Sequence, residues 1–288
     1  ENPHIFCSND GLNWIVPNGL VNPIDDKTSA GYAFMSDTHL IFIPGTQTLE
    51  CWYRGSAGTT DIIRKTSTDG VNWSPREIMI RESDSVSSGI STRIVSPALI
   101  HRNNEYHMWW IANGVGIYYA KSIDGKAWNN ITLCTLTGLT NPNIWHLDCM
   151  YASSNKYYLT GYSRTGHLYI YEGTNGTTFT YRKTALASSW AKGKDFFASN
   201  LYRGCLVECG RKDNSPFYRM YFSGHNETYK YAGIGVMEGK LDTMSHVSGE
   251  LNLQKQGFMK GLEVVNTRVN KANIQLADTG ECIGFDYE

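Results

Sequence analysis

Residues 93–129 read RIVSPALIHRNNEYHMWWIANGVGIYYAKSIDGKAWN, three apolar segments separated by short polar turns. With the two-residue period of a β-strand, the apolar and aromatic residues of these segments fall on both faces of the strands. One small antiparallel meander cannot bury two apolar faces by itself. The stretch therefore predicts a sheet that packs between similar sheets formed elsewhere in the chain.

The turn that ends this stretch recurs along the sequence. The pattern S-x-D-G-x-x-W begins at Ser8, Ser67 and Ser122, and weaker forms begin at Thr174 and Glu238. Its glycines lie 51 to 63 residues apart, at Gly11, Gly70, Gly125, Gly176 and Gly239. Repeats of this length with four short strands each are typical of β-propeller blades. Asp or Asn before Gly suits a tight hairpin with positive φ, so the repeated Asp residues are predicted to be structural.

We therefore predict an all-β fold, a five-bladed β-propeller of four-stranded antiparallel blades. Four units are complete, and they cover residues 37–73, 93–134, 147–181 and 203–244. Residues 2–16 are expected to be the outer half of a fifth blade, which strands from both termini close so that no sheet edge remains. Residues 1–245 would be the propeller, and residues 246–288 would complete the closing blade or lead to another module.

Charge and composition narrow the classes of function. The 26 basic residues nearly balance the 27 acidic ones, and no basic patch is interleaved with aromatic residues, so we expect no nucleic-acid partner and no membrane-surface role. The sequence has no apolar run of about eighteen residues and no signal-peptide pattern. Eight Trp and eighteen Tyr residues suit stacking against sugars as well as packing between blades.

The seven cysteines show no CxxC spacing. Most of them are expected to be reduced and buried, which is consistent with folding in a cytosol. The chain begins at Glu1 almost within a strand, and we expect it to be a domain of a longer protein.

Candidate site residues follow from the predicted blades, because the innermost strand of each blade begins near the propeller axis. The residues expected there are Asp37, His39, Ser96, Pro97, Trp145, His146, Asp148, Tyr202 and Arg203. They would line a polar pocket with aromatic walls, which suits a sugar. A structural role stays open for each: Asp148 could cap a strand, His146 could be an interior histidine, and Arg203 could only neutralise the two carboxylates.

The segments DTHLI (37–41), SPALI (96–100), LDCMY (147–151) and RGCL (203–206) resemble the inner strands of five-bladed glycosidases of the arabinanase and xylosidase type. This resemblance implies an inverting hydrolase with Asp37 as general base and Asp148 as the residue that tunes the acid. The acid of that family, a Glu before Gly, corresponds here to Arg203.

Arginine stays protonated and cannot donate a proton to a leaving group. We therefore expect a glycosidase-like scaffold that binds a glycan without cleaving it. No cofactor and no metal site are predicted, although such glycosidases often hold a cation on the axis and that possibility stays open.

The opening segment NPHIFCSNDGLNWIVPNGL (2–20) is similar to propeller modules in the receptor-binding tail proteins of phages of Gram-positive bacteria. The resemblance implies a module of the virion tail that folds in the host cytosol and acts outside the host cell. Its partner would be a cell-surface glycan such as wall teichoic acid, and a stalk outside this chain would make it a homotrimer. The planar guanidinium of Arg203 suits a phosphate of such a polymer.

Three alternatives stay open. The first is an active inverting glycosidase or glycan depolymerase that uses Asp37, Asp148 and a further carboxylate, for which Asp195 is a candidate; such an enzyme would be extracellular. A sialidase is less favoured, because the turns resemble its Asp-boxes but the sequence offers no trio of pocket arginines. A scaffold without ligand also remains, since propellers serve many functions.

Overall fold

The computed structural model describes residues 2–253 except residues 91, 113–115, 141, 192–194, 213, 229, 230, 244 and 251. Most of residues 246–288, which are expected to complete the closing blade or lead to another module, lie outside the described residues. Two compact units can be distinguished, and each is described by itself. The first contains residues 2–7 and Val16–Cys134, and the second contains Ser8–Ile15 and the described residues from 135 onwards. A two-residue strand, β1 (Asn13–Trp14), belongs to the second unit.

The first unit contains two four-stranded antiparallel sheets whose strands follow chain order. The first sheet consists of β2 (Phe34–Ile43), β3 (Thr48–Ser56), β4 (Thr60–Ser67) and β5 (Glu77–Arg81). The second sheet consists of β6 (Val95–Arg102), β7 (Glu105–Ala112), β8 (Gly116–Ser122) and β9 (Asn129–Leu133). Two single-turn helices, α1 (Lys27–Ala30) and α2 (Ser85–Ser88), lie in the connections before each sheet.

The second unit repeats this plan. Its first antiparallel meander consists of β11 (Ile144–Tyr151), β12 (Tyr157–Ser163), β13 (His167–Gly173) and β14 (Thr178–Ala187). The short β10 (Thr135–Thr137) adds to β14 in parallel. Its second meander consists of β15 (Asn200–Lys212), β16 (Ser215–Asn226), β17 (Tyr231–Gly239) and β18 (Ser245–Glu250). Strand β1 pairs in parallel with β19 (Asn252–Leu253).

Strand β7 is buried on both faces, as the pattern of residues 93–129 predicts. Met108, Trp109 and Trp110 follow one another on β7, so their side chains alternate between the two faces, and all three are fully buried. In the first unit, Trp52 and Leu99 pack in one apolar cluster with Met108 and Trp110. A strand with large apolar side chains on both faces must pack between two layers, which is the environment of a propeller blade.

The first strand of each of the four meanders contains a β-bulge in its first half. The register shifts occur between Ser36 and His39, Val95 and Ala98, Ile144 and His146, and Leu201 and Gly204. Asp37 and Ser96 lie inside two of these bulges with φ of 58° and 50°. A bulge bends the strand and changes the direction of the side chains in it. Thus the four bulges lie where the sequence predicts the site residues.

The repeated Asp residues have the structural role that the sequence predicts. Oδ1 of Asp69 accepts hydrogen bonds from the backbone N–H groups of Val71 and Asn72, both at 2.8 Å. Asp10 and Asp124 accept the equivalent bonds in their own turns. These side-chain acceptors satisfy backbone N–H groups that have no backbone acceptor within the tight turn.

The N-terminal turn at Gly11 packs on the last meander of the chain. The internal turn at Gly125 packs in the same way on the sheet that precedes it. A Cβ atom at Gly125 would lie 2.7 Å from Cη2 of Trp52, which belongs to the second strand of the preceding sheet. A Cβ atom at Gly11 would collide with Arg219 and Tyr221, and Tyr221 donates a hydrogen bond of 3.0 Å to the Gly11 carbonyl oxygen. Both tyrosine and arginine lie on β16, the second strand of its sheet. This is the contact expected of a fifth blade, whose existence stays a prediction.

The expectation that most cysteines are buried is wrong for the described residues. Cys51 and Cys149 are buried, whereas Cys7, Cys134 and Cys205 are partly exposed and Cys209 is exposed. None of these six forms a disulfide with another of them. Cys209 lies near the end of the long strand β15, where the strand extends beyond the packed part of its sheet.

Candidate functional site

Asp37 lies in the bulge of β2 and forms a buried ion pair. Its Oδ2 is 2.8 Å from Nε of Arg54, and the two side chains are 3% and 10% exposed. Arg54 pairs with Ser36 across the hairpin, donates to the Ser36 hydroxyl at 3.0 Å and lies over the ring of Phe34. The predicted general base is therefore already neutralised inside its own blade. Sequence reasoning missed Arg54, although its place opposite the bulge follows from the hairpin register.

His39 joins the first strands of the two sheets in the first unit. Its Nε2 lies 2.7 Å from the carbonyl oxygen of Leu99 on β6. A carbonyl oxygen only accepts, so Nε2 carries a proton and donates it. Ser96, in the bulge of β6, is fully buried. Ser96 lies at the beginning of β6, as predicted, whereas β2 begins at Phe34 and His39 lies near its middle. His39 has a structural role there.

Asp148 makes a comparable link in the second unit. Its Oδ2 accepts a hydrogen bond of 3.4 Å from the backbone N–H of Leu206 on β15. By register, however, His146 and not Asp148 occupies the position of His39, because each histidine pairs directly after its bulge. Asp148 lies two residues further along β11. Asp37 and Asp148 thus occupy different positions relative to the bulges of their strands.

Four rings of the second unit form a continuous aromatic cluster, which we define as Trp145, His146, Tyr162 and Tyr202. The centroid of the His146 ring lies 4.5 Å from that of Tyr202, 6.0 Å from that of Trp145 and 6.1 Å from that of Tyr162. His146 and Tyr162 are buried, while Trp145 and Tyr202 are partly exposed. The cluster therefore has a buried interior and two rings that can contact a ligand.

Polar groups surround this aromatic cluster. The hydroxyl of Tyr162 donates a hydrogen bond of 2.7 Å to Oδ1 of Asn200, and burial raises the pKa of this tyrosine, so the hydroxyl remains neutral. The guanidinium carbon of Arg164 lies 3.7 Å from the centroid of the Trp145 ring. Arg203 follows Tyr202 in the bulge of β15, and its backbone N–H donates to the Ser223 hydroxyl at 3.2 Å.

Two further carboxylates, those of Glu208 and Asp195, are candidates for a catalytic group. Glu208 lies five residues along β15 from Arg203 and accepts a hydrogen bond of 2.7 Å from the backbone N–H of Ser153. This contact holds it at the far end of the strand, away from Arg203. Asp195 is partly exposed, and its backbone oxygen accepts a bond from the Asn226 side chain.

The predicted residues thus fall into two sets. Trp145, His146 and Tyr202 are neighbours in the second unit, which also holds Asp148 and Arg203, whereas Asp37, His39 and Ser96 belong to the first. A single pocket lined by both sets stays a prediction. Sequence reasoning missed the following residues: Arg54, Tyr162, Arg164 and Asn200. The hairpin register gives a signal for Arg54, and KYYLTGYSRTG (156–166) places Tyr162 and Arg164 at the end of a hairpin strand.

The described residues contain no group of three His, Cys, Asp or Glu side chains with the geometry of a metal site. Within the same part of the chain, no helix has the length and hydropathy needed to cross a bilayer.

No family model and no curated protein sequence matches this chain. Several solved structures do. An N-acetylgalactosamine deacetylase from F. plautii in complex with blood group B trisaccharide has a TM-score of 0.66 and 17% identity, over 78% of this chain and 71% of that chain. A thermostable family-43 glycoside hydrolase has a TM-score of 0.58 and 13% identity, over 82% and 78%.

The catalytic domain of a GH62 α-L-arabinofuranosidase from Coprinopsis cinerea has a TM-score of 0.55 and 12% identity, over 83% of this chain and 73% of that chain. At such identities the similarity is one of fold. The chain therefore has the all-β propeller fold, with four-stranded antiparallel blades, that is also seen in arabinanase- and xylosidase-like glycosidases.

Proposed function

We propose that this protein is a carbohydrate-binding propeller and that the aromatic cluster of the second unit contacts the sugar. The observation that carries the proposal is the cluster itself. Trp145 and Tyr202 present partly exposed rings at the bulged beginnings of β11 and β15, and Arg164 and Asn200 lie beside them. Aromatic faces with a few convergent polar groups are the usual composition of a sugar site.

Binding without cleavage is favoured by the charges of the predicted catalytic residues. Arg203 stands where a glycosidase of this type needs a proton donor, and a guanidinium does not release its proton. The carboxylate of Asp37 pairs with Arg54 at 2.8 Å. The similar solved structures include a glycoside hydrolase and a deacetylase bound to a trisaccharide, so related scaffolds act on or hold sugars.

The ligand that we propose is a host cell-surface glycan such as wall teichoic acid. The protein would then be the receptor-binding module of a phage tail, would act outside the host cell and would be trimerised by a stalk. The support for this ligand is the resemblance of residues 2–20, the Arg164 guanidinium on the ring of Trp145, and the place of Arg203 directly after Tyr202 in the chain. Guanidinium groups bind phosphate oxygens well.

The test is a glycan array together with pull-down on Gram-positive cell walls with and without wall teichoic acid. Tyr202→Ala should weaken binding by about two- to tenfold, because loss of a stacked ring removes roughly 0.5–1.5 kcal/mol. Tyr151→Ala is the matched control, since Tyr151 lies at the opposite end of β11 and should leave binding unchanged. If the wild-type protein retains no glycan and no cell wall, the proposal is wrong.

The second candidate is an inverting glycosidase with Asp37 as base and Asp148 as the residue that tunes the acid. It is favoured by the fold shared with glycoside hydrolases and by the location of both carboxylates on first strands. Release of reducing ends from arabinan or xylan, lost in Asp37→Asn and retained in Glu105→Gln, a substitution of an exposed surface carboxylate, would establish it. Binding of the same polymers without release of reducing ends would exclude it for these substrates.

A further inference from the structure

Arg164 lies in a tight turn between β12 and β13 that fixes its backbone. Its N–H donates a hydrogen bond of 3.3 Å to the Asn143 carbonyl oxygen, and Gly166 donates to the Ser163 carbonyl oxygen at 2.9 Å. The Ser163 hydroxyl also accepts from the backbone N–H of Thr165. The turn is therefore tied to Asn143, just before β11, and is closed by its own hydrogen bonds. The Arg164 side chain is exposed.

The charge of Arg164 has no acidic partner among the described residues. Its guanidinium instead lies on the ring of Trp145, 3.7 Å from the centroid. Two other arginines of the same unit are paired with carboxylates: Arg182 lies 2.7 Å from Asp242, and Arg219 lies 3.2 Å from Glu238. The N–H groups of a guanidinium lie in its own plane and point outward. When the flat face of the guanidinium lies on an indole, an anion can still approach these N–H groups from the edge.

A further exposed aromatic residue lies at the same end of this sheet. Trp190, 54% exposed, ends the short 3₁₀ turn Ser188–Trp190. Ser188 donates a hydrogen bond of 2.8 Å to the carbonyl oxygen of Gly166, in the Arg164 turn. Exposed tryptophan costs solvation and is a common stacking surface for a sugar. The Arg164 turn thus has aromatic surface in the segments bonded to it.

We propose that Arg164, stacked on Trp145, binds an oxyanion carried by the glycan, so that the sugar site prefers acidic polymers. This inference rests on the proposed sugar-binding function. The planar fork of the guanidinium offers two parallel N–H donors to a carboxylate or a phosphodiester, a geometry that lysine cannot copy. Trp145 holds the fork in one orientation, and its own partly exposed surface contacts the sugar ring next to the anionic group.

The experiment compares polygalacturonate, a glycerol-phosphate wall teichoic acid and a neutral arabinan as probes, with the wild-type protein, Arg164→Gln, Arg164→Lys and Arg182→Gln. Arg164→Gln should weaken binding of the acidic polymers by about tenfold or more and leave arabinan binding unchanged. Arg164→Lys should recover only part of the loss. Arg182→Gln, which removes an exposed arginine on an outer strand, should bind as the wild type does. Thermal unfolding of each variant confirms that the fold is intact.

The outcomes separate this inference from the proposed function. Loss with polygalacturonate alone assigns the anion to a carboxylate, and loss with teichoic acid alone assigns it to a phosphodiester. If the wild-type protein binds arabinan but neither acidic polymer, or if Arg164→Gln binds the acidic polymers as tightly as the wild type, the sugar site stands and the oxyanion subsite is refuted. If the wild type binds none of the three polymers, the oxyanion subsite is refuted, and if it also retains nothing from the glycan array or the cell walls, the proposed sugar site fails as well.

Discussion

Oδ2 of Asp37 lies 2.8 Å from Nε of Arg54, within a blade where both side chains are buried. Asp37 occupies a bulge with positive φ, and Arg54 comes from the neighbouring strand of the same hairpin. The ion pair therefore fixes the beginning of the inner strand and neutralises the carboxylate that a glycosidase would use as a base. Its strength can be measured independently of any ligand.

Replacing Arg54 with Met should destabilise the protein by about 3 kcal/mol, because it leaves the buried Asp37 carboxylate without its cation. Adding Asp37→Asn to this variant should restore part of the loss, since the uncompensated charge is then removed as well. The free energy of unfolding from urea titration checks both expectations.

The control is Lys121→Gln, which breaks the ion pair with Glu105, where the two side chains are 37% and 38% exposed. Exposed pairs contribute roughly 0–1 kcal/mol, so this variant should unfold almost as the wild type does. Equal losses in Arg54→Met and Lys121→Gln would show that the Asp37 pair does not stabilise the blade.

Two glycines of the repeated turn should respond differently to alanine. Gly70 and Gly125 have φ of 72° and 77°, so both substitutions cost about 1–2 kcal/mol of backbone strain. A Cβ atom at Gly70 would meet only Leu49 at 3.6 Å, whereas at Gly125 it would lie 2.7 Å from buried Trp52. Gly125→Ala should therefore cost roughly a further 1–3 kcal/mol. Equal unfolding free energies for the two variants would contradict the packing of this turn on the preceding sheet.

Stability should fall with acid through His107. This histidine is buried, with Nδ1 2.7 Å from the Tyr119 hydroxyl, and burial, with a smaller contribution from Lys121, lowers its pKa to about 4. Because the pKa is about 6.5 in the unfolded chain, the unfolded state takes up the proton first as the pH falls. His107 thus removes roughly 3 kcal/mol of stability between pH 7 and pH 4.

The measurement is the unfolding free energy of wild type and His107→Gln at both pH values. The variant should lose less stability over this range than the wild type, while His225→Gln, a partly exposed histidine, should follow the wild type. Parallel pH profiles for wild type and His107→Gln would mean that His107 is protonated alike in both states.

Trp190→Ala should weaken glycan binding without weakening the fold. The side chain is 54% exposed, so its loss should change the unfolding free energy by about 0.5 kcal/mol or less. If it stacks on a sugar next to the Arg164 turn, affinity for long oligosaccharides should fall several-fold and affinity for a monosaccharide should not. Calorimetric titration with oligomers of increasing length decides this, and an unchanged length dependence would remove Trp190 from the site.

The sequence predicts the blades well because the signal for them is local. The S-x-D-G-x-x-W turns and the two-faced aromatic pattern around Trp109 depend on neighbouring residues and on the two-residue strand period. Their hydrogen bonds and burial follow the pattern closely. The position of each inner strand was likewise predicted to within a few residues.

The details of the site could not be predicted, because they depend on contacts across strands. A bulge shifts the register by one residue, so the equivalence of His146 with His39 is invisible in the linear pattern. Arg54 reaches Asp37 from a partner strand, and Arg164 reaches Trp145 from a turn. Neither contact leaves a spacing signal in a single sequence.

The most direct test of the central claim is electron density in crystals soaked with N-acetylglucosamine and glycerol phosphate. We expect density for a sugar ring against Trp145 or Tyr202 and density for the phosphate at Arg164. Sugar density at another part of the propeller, with the aromatic cluster left unoccupied, would contradict it.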